Sequence, residues 1–429
     1  MKKILFIGDL RTANNYGAVA TTESLMHLIE QQHLNAEFKY IDFRSFYNPT
    51  PANGFTPINR NNDSVVKSLL RYVKRSIPKD VKDVLKRILM YKPSIVPDFV
   101  PYKYSQYEDY YANMVSGKSL IYEKKMLEWA DVIYVNSEGN IVNGTDSAGK
   151  YRMGARYLLF LAWIAKVKMN KPTLIVNHTV DPNNYNAFEI IENLYPKLDK
   201  VFVRETLSLP LLERHGVTNA QFVPDALFSY KPSIDWKPSA FLLEQIDFSK
   251  PYICIGDSSG FLNSYNKVKW DVKEVLGEII DRLKNIIPQI IFVDGYNGGN
   301  EDVNYLIRKK CHGYVNITNC SYHDLYHVLE KSTIFISGRW HASILSVLSS
   351  TPILLWGADS HKTKSLYTLL DYPYRFFEVS TLPVNIDELI DEAHKIIQNR
   401  DSVSSAIKKK VDEYAKMTYE NAKVLNEYV

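Results

Sequence analysis

Several signatures are absent from this 429-residue sequence, and each absence removes a class of chemistry. Cysteine is scarce: Cys254, Cys311 and Cys320 are the only three. Their spacing matches neither a metal site nor a redox pair, so reduced thiols in a cytoplasmic protein are expected. No apolar run reaches the roughly 18 residues that a membrane-crossing helix needs. The opening Met1-Lys2-Lys3-Ile4-Leu5-Phe6-Ile7-Gly8-Asp9 has too short an apolar run for a signal peptide, and no small-residue cleavage site. It reads as a first buried strand. The formal net charge of +4 gives no reason to expect nucleic acid. Neither G-x-G-x-x-G nor G-x-x-x-x-G-K-[ST] follows that strand, so neither a dinucleotide site nor a P-loop is supported. No short repeat or low-complexity tract is detectable. The 30 tyrosines are scattered, which reads as packing.

What is present is a soluble-type composition, 45% hydrophobic and 23% charged. The chain is too long for one ordinary core, so two domains are expected. The stretch Ser337-Gly338-Arg339-Trp340-His341-Ala342-Ser343 lies between two apolar runs. Thr333 to Ile336 reads as a buried strand, and Ala342 to Leu348 as a helix on a sheet. Arg339 and His341 therefore fall on a strand-to-helix turn, at the carboxyl edge where α/β proteins bind ligands. A helix start there attracts an anion, a guanidinium grips carboxylate or phosphate, and a histidine moves a proton near neutral pH. The plain alternative is a salt bridge by Arg339 and a packed or capping His341.

Elsewhere strands and helices alternate. Ile4 to Ile7 leads through Asn14, Asn15 and Tyr16 into a helix from about Ala18 to Gln32. Asn15 and Tyr16 are candidates for a hydroxylated ligand, or only shape the turn. Strands over Val132–Val135, Thr173–Val176, Val201–Val203 and Phe222–Val223 end in Glu138, His178, Arg204 and Asp225, a clustering expected of a ligand site. Ser229 to Pro238 reads as a linker. A second series follows, with strands near residues 252, 290, 315, 334 and 353. The expected fold is α/β, two Rossmann-like domains facing a central cleft, the glycosyltransferase-B architecture. Expected boundaries are 1–230, with a basic insertion over about 44–115, then 231–401. A helical tail over 402–429 packs back on the first domain. The basic block Lys67 to Lys92 interleaves cations with apolar residues at helical spacing. It suits an anionic membrane surface, or is a solvated insertion.

Several motifs together resemble the polysaccharide pyruvyl transferase family. They are Asn15-Tyr16-Gly17-Ala18 after the first strand, Ser137-Glu138-Gly139-Asn140, Val203-Arg204-Glu205, Asp225, and Ser337-Gly338-Arg339-Trp340-His341. The last is followed by Thr351-Pro352-Ile353 and by Lys362. The family usually has Leu between its Arg and His; Trp340 stands there in this chain and would reshape the pocket. The resemblance runs from residue 1 to about 371, outside 44–115. It implies transfer of a pyruvyl unit from phosphoenolpyruvate to hydroxyls of a surface-polysaccharide sugar or its lipid-linked precursor, forming a ketal. It places Arg204, Arg339, Trp340 and His341 at the phosphoenolpyruvate site.

Two cations suit the donor's carboxylate and phosphate. His341 is the expected acid–base group and Glu138 a second one for the acceptor. Lys362, Asn15, Tyr16, His178 and Asp225 complete the expected substrate site. Neither a metal nor a separate cofactor is expected. The location is expected to be cytoplasmic, with a peripheral contact at the inner face of the membrane. Two alternatives stay open. One is a transferase of the same fold using a nucleotide sugar, with Arg339 and Lys362 on the diphosphate. There Asp359 is the only acid where a ribose-binding glutamate is usual. The other is an inactive polysaccharide-assembly protein.

Overall fold

The computed structural model describes residues 1–13, 15–42, 99–142, 152–261, 270–294, 301–316 and 318–429. The basic block at 67–92, and with it the expected membrane contact, lies outside them, as does Asn14.

The chain builds two wholly parallel sheets. The first holds β1 (Lys2–Asp9), β2 (Ala36–Asp42), β3 (Val132–Glu138), β4 (Thr173–His178), β5 (Lys200–Val203) and β6 (Ala220–Phe222), in the order β2-β1-β3-β4-β5-β6. The second holds β7 (Tyr252–Ser258), β8 (Gln289–Asp294), β9 (Gly313–Asn316), β10 (Phe335–Gly338) and β11 (Ile353–Leu355), in the order β11-β10-β7-β8-β9. Strand order reverses between β1 and β3 in one sheet and between β7 and β10 in the other. Crevices at such reversals open at the carboxyl ends of the strands.

The strands are apolar on both faces because helices cover both, as parallel sheets require. Alternation then splits one strand between two cores. In the first sheet Leu5, Ile7, Ile133, Val135, Ile175 and Val201 pack on one side. Ile4, Phe6, Val132, Tyr134, Leu174 and Phe202 pack on the other. The second sheet repeats this, with Cys254, Ile291, Val293, Phe335 and Leu355 opposite Ile253, Ile255, Ile290, Phe292 and Ile336. Truncating one such residue to Ala costs about 2–5 kcal/mol.

The helix Tyr16–Glu30 belongs to both halves. Leu25, Leu28 and Ile29 lie against the first sheet, while Tyr16 and Ala20 join the core of the second with Trp340 and Ile344. The tail crosses the other way. Val403, Ile407, Val411 and Tyr414 of the helix Arg400–Met417 pack in the second core, then Ala422, Val424 and Leu425 enter the first. The Tyr134 hydroxyl donates to the Asn421 carbonyl at 2.6 Å.

Residues 99–115, at the end of the stretch expected as an insertion, pack on the first core: Tyr107 is buried edge-on against Phe160 and Trp163, at 5.1 and 5.2 Å. The stretch at 229–238, expected as a linker, runs between the two sheets and packs on the second half. The Trp236 indole donates to Asp324 at 2.8 Å and stacks on His327 at 4.6 Å. Among the described residues no helix is long and apolar enough to cross a membrane.

Candidate functional site

The Arg204 guanidinium follows β5 and is completely buried. Its Nη1 lies 2.9 Å from Asp225 Oδ2, 3.3 Å from Glu138 Oε1 and 3.0 Å from His341 Nε2. Its Nε donates to Thr179 Oγ1 at 3.1 Å. Its Nη2 is buried and, among the described residues, has no hydrogen-bond partner. A buried N–H left unpaired costs about 1–3 kcal/mol, more when charged, so such a group asks for an acceptor.

Asp225 is held from every side. Its Oδ1 accepts from Thr21 Oγ1 at 2.6 Å and from the Leu227 amide at 3.0 Å. Its Oδ2 accepts from Arg204 and, at 3.0 Å, from the Trp340 indole of the second half. Burial alone pushes this carboxyl up; Arg204 and His341 more than offset that and hold it well below the ordinary range. Glu138 follows the same balance: burial raises it, Arg204 and His341 bring it net below its usual value. Glu138 also has φ +45°, left-handed backbone for a non-glycine residue at a strand end. Such a conformation costs about 1–3 kcal/mol and persists where its surroundings fix it.

His341, the second residue of the helix Trp340–Leu348, completes the cluster from across the cleft. Its Nε2 is 3.0 Å from Arg204 Nη1, 3.2 Å from Asp225 Oδ2 and 3.6 Å from Glu138 Oε1. An unprotonated Nε2 accepts from the guanidinium; a protonated one donates to the carboxylate. Both states have a partner. The ring packs on Gly17: a Cβ there would lie 2.1 Å from His341 Nδ1 and 2.5 Å from its Cβ. Only glycine leaves that space.

Of the remaining expected residues, Asn15 caps its helix, its Oδ1 accepting from the Gly17 and Ala18 amides at 2.8 and 3.3 Å. Tyr16 is buried between the halves, its hydroxyl without a partner among the described residues. Arg339 is at the same edge but bound within its own half. Asp257, at the end of β7, takes its Nε at 2.6 Å and its Nη2 as well. Lys362 Nζ pairs with Asp359 at 2.7 Å. His178 is no part of the cluster. Its Nδ1 lies 2.8 Å from the Phe202 carbonyl and its Nε2 3.1 Å from the Tyr195 hydroxyl, both ring nitrogens occupied inside the first core. Burial drives its pKa down to about 3, so the ring is neutral and structural. Its neighbour Asn177 takes φ +55° and alone of the two points to the Asp225 side, through Thr21 Oγ1 at 3.0 Å and the Ala226 amide at 3.0 Å.

Sequence reading missed four participants: Thr21, Asp257, Asp181 and His361. Asp257 ends a strand and was open to the same edge argument as Arg204. His361 precedes Lys362 at a helix start, the context that singled out His341. Among the described residues no group of three or more His, Cys, Asp or Glu is placed to hold a metal ion. A surface groove lined in part by Gln289 and His312 lies at the opposite, amino-terminal edge of the second sheet and holds none of these residues.

Two α/β sheets with charged side chains meeting between their carboxyl edges define a glycosyltransferase-B-type fold, and solved structures agree. One is the Staphylococcus aureus MnaA–UDP co-structure, at TM-score 0.54 and 11% identity, covering 100% of this chain and 96% of that one. Another is a UDP-GlcNAc 2-epimerase from Neisseria meningitidis bound to UDP-GlcNAc, at 0.52 and 11%, covering 100% and 99%. A third is a sucrose-phosphate synthase from Thermosynechococcus elongatus, at 0.52 and 11%, covering 100% and 98%. At such identities the likeness is one of fold alone. Sequence is more specific. The polysaccharide pyruvyl transferase family matches residues 15–355, and the chain belongs to that family of transferases acting on polysaccharide. No curated protein matches the chain.

Proposed function

We propose that the chain transfers the pyruvyl unit of phosphoenolpyruvate to two hydroxyls of one sugar, releasing phosphate and leaving a ketal. The observation that carries this is the buried Nη2 of Arg204, unpartnered among the described residues and set beside a histidine whose ring has a partner in either protonation state. Arg204 Nη2 would take one anionic group of the donor, and Arg339 and Lys362, at the edge of the second sheet, would exchange part of their pairing for the other.

The chemistry needs one proton delivered to the donor's methylene carbon, which becomes a methyl. C2 turns electrophilic and the first sugar oxygen adds, giving up its proton. Phosphate then leaves with the C–O bond's electrons, and the second hydroxyl adds, its proton passing to phosphate or solvent. His341 is suited to give and recover the proton, since Asp225 steadies the charged ring and Arg204 the neutral one. Glu138, below its ordinary pKa, is ionised at neutral pH and able to accept from an incoming hydroxyl. The acceptor is a polysaccharide or its lipid-linked precursor. Trp340 lends its indole N–H to Asp225 and packs in the second core, so it acts as a wall and anchor; stacking on sugar is not its part.

A thermal-shift panel tests the donor. Phosphoenolpyruvate at about 100 times its dissociation constant stabilises by about 2.7 kcal/mol, and nucleotide sugars should give no shift. The reverse pattern would move the chain to nucleotide-sugar chemistry.

A further inference from the structure

A second histidine crosses the cleft away from the proposed proton site. His361 stands at the start of the helix Lys362–Leu370, in the second half. Its Nε2 lies 3.2 Å from Glu205 Oε1 and its Nδ1 3.3 Å from Asp181 Oδ2, both carboxylates of the first half. Its backbone N–H donates to Asp181 Oδ2 at 2.7 Å. Glu205 is fully buried, and besides His361 it accepts from the Leu207 and Ser208 amides at 2.9 and 3.2 Å, from the Ser208 hydroxyl, and from Ser365 Oγ of the second half at 2.8 Å. A neutral imidazole has one N–H and one lone pair. With a carboxylate oxygen at each ring nitrogen, only the doubly protonated ring donates to both. Asp181 and Glu205 are the charges that act on the ring from the first half, and Arg152 of that half acts on the neighbouring Asp359. On its own side Asp359 and Lys362 are paired with each other at 2.7 Å.

We propose that His361 is a charged latch: its imidazolium, clamped between Asp181 and Glu205, holds the two halves closed and so positions the cleft residues beside it. Glu205 follows Arg204 in the chain, and Lys362 follows His361, so release of the latch frees one expected donor contact on each side. Burial works against the charged ring, but the hydrogen bonds and charges of Asp181 and Glu205 outweigh it and lift His361 from 6.5 to about 9. A folded pKa above the unfolded one gives stability that is complete below about 6.5 and lost as pH rises through about 9. The latch is therefore closed at neutral pH and opens in alkali. Its effect on turnover rests on the transferase reading; the latch itself does not.

The test is melting temperature and solution radius of gyration from pH 6 to 10, for the full chain, His361→Gln and Asp181→Asn. Asp181→Asn keeps an acceptor for the His361 amide and removes only the charge, so it stays informative should His361→Gln fail to fold. The wild type should melt about 5 °C above His361→Gln at pH 6, with the gap closing by pH 10. Asp181→Asn should lose its stability at a lower pH than the wild type. The wild-type radius should grow across the same window. A gap that is equal at pH 6 and 10, an Asp181→Asn profile superimposed on the wild type, or an unchanged radius would overturn the latch. Because none of these readouts uses a substrate, a failed latch and a failed pyruvyl assignment are told apart.

Discussion

His341 and His361 occupy comparable places, each at the start of the helix that follows one of two neighbouring parallel strands, and each reaches into the first half. Their company differs. His361 meets a carboxylate at both ring nitrogens, at 3.2 and 3.3 Å. His341 meets at one nitrogen both a carboxylate at 3.2 Å and a guanidinium at 3.0 Å. The first arrangement supports one protonation state; the second supports two. A group with one supported state can hold two surfaces together, and a group with two can pass a proton. Arg204 is what separates them. The same contrast divides the arginines: Arg339 is neutralised inside its own half by Asp257, whereas Arg204 joins both halves and has one buried donor without a partner among the described residues.

The strongest way to sharpen the contrast is to change each histidine to glutamine. His341→Gln should lower turnover by about 10²–10⁴ while the protein melts close to the wild type, the usual contribution of a placed proton donor or acceptor. His361→Gln should act in the opposite sense, on pH-dependent stability first. Equal effects of the two substitutions on both readouts would erase the distinction.

Next in size is Trp340→Leu, which installs the residue usual in the family. It removes the 3.0 Å indole bond to buried Asp225 and part of the second core. A hydrogen bond to a charged acceptor is worth about 1.5–3 kcal/mol, to be read by denaturant unfolding. Donor affinity should change less than stability, because Arg204 keeps its own bond to Asp225. A loss confined to donor affinity would give Trp340 a direct ligand contact.

Gly17→Ala should cost about 1–3 kcal/mol through overpacking. It drives a methyl into the place of the His341 ring and not of His361. Its signature is a fall in turnover and a displaced pH–rate profile, with the alkaline melting of the latch retained. A variant with wild-type turnover would mean that the ring position is not set by Gly17.

Much of this was legible in the sequence because apolar alternation and strand exits are local signals. The strands of both sheets, and the placing of Glu138, Arg204, Asp225 and Arg339 at one kind of edge, follow from them. Which way a strand-end side chain turns is not local. Edge position alone groups His178 with the site, yet one left-handed residue, Asn177, precedes it, and His178 faces the core. Pairing was hidden for the same reason: Asp257 and Arg339 lie on strands far apart in sequence that become neighbours only in the sheet. The core packing of the helix Tyr107–Val115 has no clear local signal, because its contacts are Tyr107, Tyr110, Tyr111 and Met114 with polar residues between. The partners of His361 are equally non-local, since its carboxylates follow two other strands.

In the proposed reaction Arg204 holds an anionic group of phosphoenolpyruvate. Titration calorimetry of phosphoenolpyruvate into the wild type and Arg204→Lys tests it most directly, since lysine keeps the charge facing Asp225 and gives up the planar fork. Binding by the wild type, weakened by about 1.5–3 kcal/mol in the variant, is the predicted result. Equal phosphoenolpyruvate affinity in both proteins, or heat from a nucleotide sugar and none from phosphoenolpyruvate, would contradict it.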